Sequence, residues 1–200
     1  MSSARENSVR NLQSLLNVLV GLALTSAVLR LLLNRQYQLD VQVDWQSLPM
    51  FLTFLVTLIP FYHGALRHLD RTYVEQGGRK VRRGALLVDF AMLFVEGCLL
   101  VALANALPDP RVFAWGLIAL LGLDAIWGLL VEYVLVKERT RGPELRWCII
   151  NTVAVVVLVG LATQTALLAS RGWGNLLLYV ALVRTTVDYA LCWPCYFPTE

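Results

Sequence analysis

Apolar residues occupy six long blocks separated by short polar stretches, over approximately residues 13–34, 48–67, 84–106, 111–136, 146–168 and 173–193. A helix needs about 20 mostly apolar residues to cross a hydrocarbon core roughly 30 Å thick, and each block meets that requirement. The pattern predicts an all-α integral membrane protein, a bundle of six transmembrane helices. The connections are too short for a separate soluble domain, so residues 1–200 read as a single polytopic unit. Composition agrees: 58% hydrophobic residues and 16% charged residues, with a mean hydropathy of +0.61, lie outside the range of water-soluble domains. The first block, "LLNVLVGLALTSAVLRLLL", exceeds the 7–15 residues of a signal-peptide core and reads as a retained span.

Charge sets the expected orientation. Lys and Arg of short loops stay on the cytoplasmic side. Arg5 and Arg10, then Arg67, Arg71, Arg79, Lys80, Arg82 and Arg83, then Lys137, Arg139, Arg141 and Arg146 fall at one set of ends; Arg35, Arg111 and Arg171 fall at the other. Twelve against three, in strict alternation, predicts cytoplasmic termini in a plasma (inner) membrane. The net charge of +3 is accounted for by topology and by contact with anionic lipid headgroups, and no nucleic acid is expected.

Ionisable residues inside a span cost at least about 2.5 kcal/mol each on insertion scales and by default face a bundle interior or a water-filled cavity. This chain has several. The third block holds Asp89 and Glu96, the fourth Asp124 and Glu132, and the sixth Arg184 and Asp188. At a 1.5 Å rise per residue, Asp89 and Glu132 lie roughly 6–8 Å from the cytoplasmic end, and Glu96 and Asp124 roughly 18 Å deep. Since "ALPDPR" alone joins the third and fourth blocks, they are expected to be antiparallel neighbours whose carboxylates form two rungs. Arg184 and Asp188, four apart on one helical face, fall between those rungs and at the shallow one.

The stretch "PFYHGALRHLD" adds His63, Arg67 and Asp70 at intervals of four and three, a stripe running from the bilayer towards the cytoplasm. With Arg71, its charged end is a candidate contact for a soluble partner. His68 falls off the stripe and is expected at the surface. Pro60 cannot donate to the carbonyl four residues earlier, which predicts a kink and a freed acceptor; Gly77 and Gly78 are expected to end the helix. Asn17, Asn151 and Thr152 near the inner ends, with Thr163, Gln164 and Thr165 near an outer one, read as minor polar points. Arg30 is expected to snorkel to the outer interface. Trp45, Trp115 and Trp173 outside and Trp147 and Trp193 inside match aromatic belts.

Enzyme motifs are scarce. Two histidines are too few for a membrane di-iron enzyme, and the sequence has no phosphate-binding glycine loop, Gly-x-Ser-x-Gly elbow or His-Glu-x-x-His site. Glu96 with Asp124 only partly matches the paired aspartates of an intramembrane protease. "CWPC", Cys192 to Cys195, stands alone without a second pair and reads as thiols at a helix end; Cys98 and Cys148 read as apolar fillers. The acidic pairs, seven and eight apart, do not relate three spans to three as an inverted repeat would. No metal or cofactor is implied.

These readings converge on a channel or channel-like effector that passes a small cation or proton along a path lined by Glu96 and Asp124. His63, Asp89, Glu132, Arg184 and Asp188 are expected to form an ion-pair gate on the cytoplasmic side. Small size favours a homo-oligomer around an axis. The alternative is a non-conducting scaffold or sensor that recruits a soluble cytoplasmic partner through its basic loops. An integral-membrane enzyme ranks below both.

Overall fold

The computed structural model describes residues 3–32, 45–75, 81–136, 143–164 and 172–197. Six helices account for most of them: α1 (Ser3–Leu32), α2 (Leu48–Leu69), α3 (Ala85–Asn105), α4 (Pro110–Leu130), α5 (Pro143–Ala162) and α6 (Trp173–Tyr196). All six are long and apolar enough to cross a membrane, the pattern of a multi-pass membrane protein. Among the described residues there is no strand, only an isolated bridge between Val81 and Val136. The helix ends follow local chemistry. Asp109 caps α4 by accepting from the backbone N–H of Arg111 and Val112 at 3.0 and 3.1 Å, with Pro110 in the first turn. Gly84, at φ +87°, turns the chain into α3.

Two helices extend well past their apolar blocks: α1 begins at Ser3, nearly three turns ahead of its block, and α2 runs on into a π-helical turn, Asp70–Val74; α4 also ends in a π-helical turn, Val131–Leu135, within its block. The expected stop at Gly77 and Gly78 lies outside the described residues; the helical path itself ends at Val74.

Side-chain contacts show how the helices alternate. Gln13 near the start of α1, His68 at the end of α2, Asp89 at the start of α3, Trp127 near the end of α4, Glu144 at the start of α5 and Cys195 at the end of α6 meet at one end of the bundle. That end, here the basic end, also carries Arg5, Arg10, Arg67, Arg71, Arg82, Arg83 and Arg146. At the other end Arg30 of α1 donates to Asn105 of α3, and Gly174 of α6 lies against Pro49 of α2. The helices therefore run alternately up and down, with the start of α1 and the end of α6 at the basic end.

The closest pairings are α1 with α3, α2 with α6 and α4 with α5; α3 and α4 also touch, as their short connection requires. Val9, Leu12, Leu16, Leu19, Ala23 and Ala27 form the buried stripe of α1, at the three-and-four spacing that lets one helix face another. Gly97 of α3 receives it: a Cβ there would stand 2.5 Å from Leu19 Cδ1. Gly128 brings α4 equally close to α5, since a Cβ would stand 2.9 Å from the Glu144 carbonyl oxygen. Val18, Leu22, Ile59, Leu87, Val153, Val156, Tyr179 and Leu191 project outward, an apolar jacket suited to lipid and costly in water.

Candidate functional site

Most of the ionisable side chains buried among the long apolar helices gather in two networks in the basic half of the bundle. The first centres on His68, which is 1% exposed. Its Nε2 lies 3.1 Å from Asp89 Oδ2 and its Nδ1 3.3 Å from Glu144 Oε1. Asp89 also accepts from the Tyr73 hydroxyl at 2.6 Å and from Trp127 Nε1 at 3.0 Å. The Trp127 ring meets the imidazole edge to face at a centroid distance of 4.6 Å, and the Arg5 guanidinium sits 5.0 Å over Tyr73. A neutral imidazole has one donor, so bonds to both carboxylates require an imidazolium or a protonated carboxyl. Five segments, from α1 to α5, are pinned here. The surface position expected for His68 is corrected: the helix continues past Arg67, and one further residue turns the ring inward to Asp89 and Glu144.

The second network lies deeper and nearer α6. Arg184 donates through Nε and Nη2 to Asn151 Oδ1 at 2.9 and 2.7 Å, and Asn151 Nδ2 donates in turn to Asp124 Oδ2. Arg184 Nη1 is 3.7 Å from Asp188 Oδ2, which accepts from the Tyr196 hydroxyl at 3.0 Å. The amide thus relays between the α4 carboxylate and the α6 guanidinium. His63 borders this network: its Nδ1 is 3.4 Å from the Tyr189 hydroxyl, and its ring packs 4.7 Å from Tyr196 and 5.4 Å from Phe197. Pro60 frees the Val56 carbonyl, as expected, and Thr185 of α6 donates to it at 3.0 Å. Pro60 therefore helps to fasten α2 to α6.

Glu96 stands apart from both. It lies in the middle of α3 on the stripe Asp89, Leu93, Glu96, Leu100 and Leu103, is 0% exposed, and neither carboxylate oxygen has a hydrogen-bond partner. Asp124 and Asp89 are the charged groups close enough to act on it. Beyond it, towards the far end, the described interior is mainly apolar, with Leu100, Leu103, Leu107, Phe113, Leu117, Phe54 and Trp173 joined by the uncharged Ser47, Thr53 and Thr57, and no carboxylate or basic group is buried there.

Of the residues singled out in the sequence, Asp124, Arg184 and Asp188 come together, while Asp89 belongs to the His68 network. Glu132 is buried in the π-helical turn after α4, and none of the hydrogen bonds of either network involves it. The residues expected to act together at the cytoplasmic side are thus divided between two networks. The charged stripe on α2 is spent within the chain: Arg67 Nε donates to the Cys195 carbonyl at 3.0 Å and Nη2 to Glu75 at 2.8 Å, while Asp70 accepts from Gln13 at 2.9 Å. Arg71, half-buried, acts on Cys195. Trp147 and Trp173, read as belt anchors, are 6% and 2% exposed and sit inside the bundle, whereas Trp45, Trp115 and Trp193 do face outward. All four thiols are free, and among the described residues no group of three metal-ligating side chains gathers.

Sequence reasoning undervalued Asn151, Glu144, Tyr73 and Trp127. For Glu144 a signal was present: Pro143 followed by an acidic residue marks a helix start, which puts Glu144 inside α5 rather than in a loop. Compared with known protein families, curated proteins and solved structures, the chain matches none of them.

Proposed function

We propose that this protein carries protons or small cations between its basic, cytoplasmic end and a carboxylate site at mid-membrane depth. One observation carries the reading: Glu96 is buried in the centre of α3 with no donor for either oxygen. An ionised carboxylate without donors in an apolar interior costs several kcal/mol, and a proton or cation that reaches it removes that cost. Glu96 is therefore a group that gains by loading. Asp124, Asn151, Arg184, Asp188 and Tyr196 extend from its neighbourhood towards the basic end, a series of groups able to pass a proton or to hold water. The apolar far half supplies the barrier that a gated carrier needs and would have to open for transfer to complete.

The test is flux from proteoliposomes under a proton or potassium gradient. Wild-type protein should dissipate the gradient, and Glu96→Gln with Asp124→Asn should reduce the rate to that of empty vesicles. Undiminished flux in the double variant would overturn the proposal. The scaffold reading is less favoured by Arg67 and Asp70, since Arg67 Nε and Nη2 and Asp70 Oδ1 bond within the chain.

A further inference from the structure

Between α2, α4, α5 and α6 lies a small cavity bounded by Pro60, Gly64, Asp124, Trp147, Arg184 and Asp188, among others, with about 20 Å³ of room for water. Three polar atoms of its lining residues lack a hydrogen bond of normal geometry, Trp147 Nε1, Arg184 Nη1 and Asp188 Oδ1, although the Trp147 indole and the Cys192 thiol both approach the Asp188 carboxylate. All three residues are more than nine-tenths buried, at 6%, 8% and 1% exposure. Each such group, left unsatisfied, costs about 1–3 kcal/mol, and more when it is charged.

We infer that this cavity is a binding site for one water molecule, bridging Arg184, Trp147 and Asp188 and linking Asp188 to Asp124. The volume is above the roughly 10–15 Å³ that a single water needs and too small for a chain of them. The chemistry selects the ligand. Trp147 and Arg184 offer N–H donors, which repel a metal cation; Asp188 and Asp124 offer carboxylate oxygens, which repel an anion. Water has two lone pairs for the donors and two protons for the acceptors. It also spans the gap in the second network, where Arg184 Nη1 stands 3.7 Å from Asp188 Oδ2, beyond direct hydrogen-bond reach.

The role of this water in the transfer path rests on the proposed transport, whereas the site itself rests on the side chains alone. Gly64 provides the means to separate them. A Cβ there would meet the Tyr196 hydroxyl at 3.5 Å and Trp147 Cζ2, on the ring edge next to the indole nitrogen, at 3.8 Å. Those are ordinary contacts, so Gly64→Ala should fold while its methyl takes up space in the cavity.

The experiment is a structure of the full chain in lipid nanodiscs, at a resolution that shows ordered water, for wild type and Gly64→Ala, with flux measured on the same preparations. The expected result is one density peak within about 2.6–3.2 Å of Trp147 Nε1, Arg184 Nη1 and Asp188 Oδ1. The peak should be absent in Gly64→Ala, with flux several-fold lower. Trp147→Phe, which removes one donor and keeps an aromatic ring, should weaken or displace the peak and covers the case in which Gly64→Ala does not fold. A wild-type cavity without a peak, or a peak at metal-ligand distances, overturns the site even if flux is normal. A peak in protein that carries no flux upholds the site and removes the transport reading alone. Unchanged flux in a Gly64→Ala protein that has lost the peak removes the water from the path.

Discussion

At the scale of single residues, each polar group inside this bundle is held by what faces it, and its cost depends on whether anything does. Asn151 shows the point, because its carbonyl takes two donors from Arg184 and its amide supplies Asp124. Asn151→Leu keeps the volume and strips both partners. A buried charge that loses its partner destabilises by about 3–5 kcal/mol, and a thermal unfolding midpoint in detergent well below wild type is the expected result. Asp89→Asn makes a second case: its new amide must face one of the donors that now converge there, His68, Tyr73 or Trp127. The expected loss is about 1–3 kcal/mol. Asp70→Asn, at a half-buried bond to Gln13 in which an acceptor is kept, should leave the midpoint nearly unchanged. Equal midpoints for Asp89→Asn and Asp70→Asn would show that the His68 network is not a structural pin.

At the scale of elements, glycines decide how closely the helices approach, and the two tightest positions differ in what they meet. Gly97 faces the side chain of Leu19, while Gly128 faces the backbone oxygen of Glu144. Overpacking a close contact costs about 1–3 kcal/mol, so Gly97→Ala and Gly128→Ala should both lower the unfolding midpoint. Leu19→Ala should recover part of the loss in the Gly97→Ala protein, because it removes the clashing atoms. No single side-chain truncation should recover Gly128→Ala, since a carbonyl cannot be trimmed. A double-mutant cycle on the first pair measures the coupling, and additivity there would count against direct α1–α3 contact at Gly97.

At the scale of the whole molecule, alternating helices and one basic end make a topological prediction. In a background with the four native cysteines replaced, cysteines at Ser3 and Glu75 should react with a membrane-impermeant thiol reagent from the same side of sealed vesicles. A cysteine at Arg111 should react only from the other. Labelling of Ser3 and Arg111 from one side would rule out three crossings between them. The distribution of polarity is also a property of the whole. Among the described residues the buried charges occupy the basic half and mid-depth, and the far half is lined mainly by Leu, Phe and Trp side chains, so access to Glu96 is expected from the basic side.

How much of this was legible beforehand depends on what each feature needs. Span number and the alternation of basic ends follow from local composition, because burying about 20 residues in hydrocarbon leaves a one-dimensional trace that no tertiary contact can erase. The freed carbonyl at Val56 was equally local, a consequence of the ring of Pro60. The depth of Glu96 and Asp124 came from the fixed rise of a helix. Rotation about the helix axis was another matter. His68 and His63 are five residues apart on α2, and only the docking of α3 and α5 decided that His68 faces two carboxylates while His63 lies among the aromatic rings of α6. The same holds for the partition of charges. Sequence order paired the third span with the fourth, but the closest packing joins α1 to α3, α4 to α5 and α2 to α6. Which carboxylate meets which donor is therefore a matter of helix rotation and partner choice, quantities set by the packing of whole surfaces rather than by any local stretch of chain.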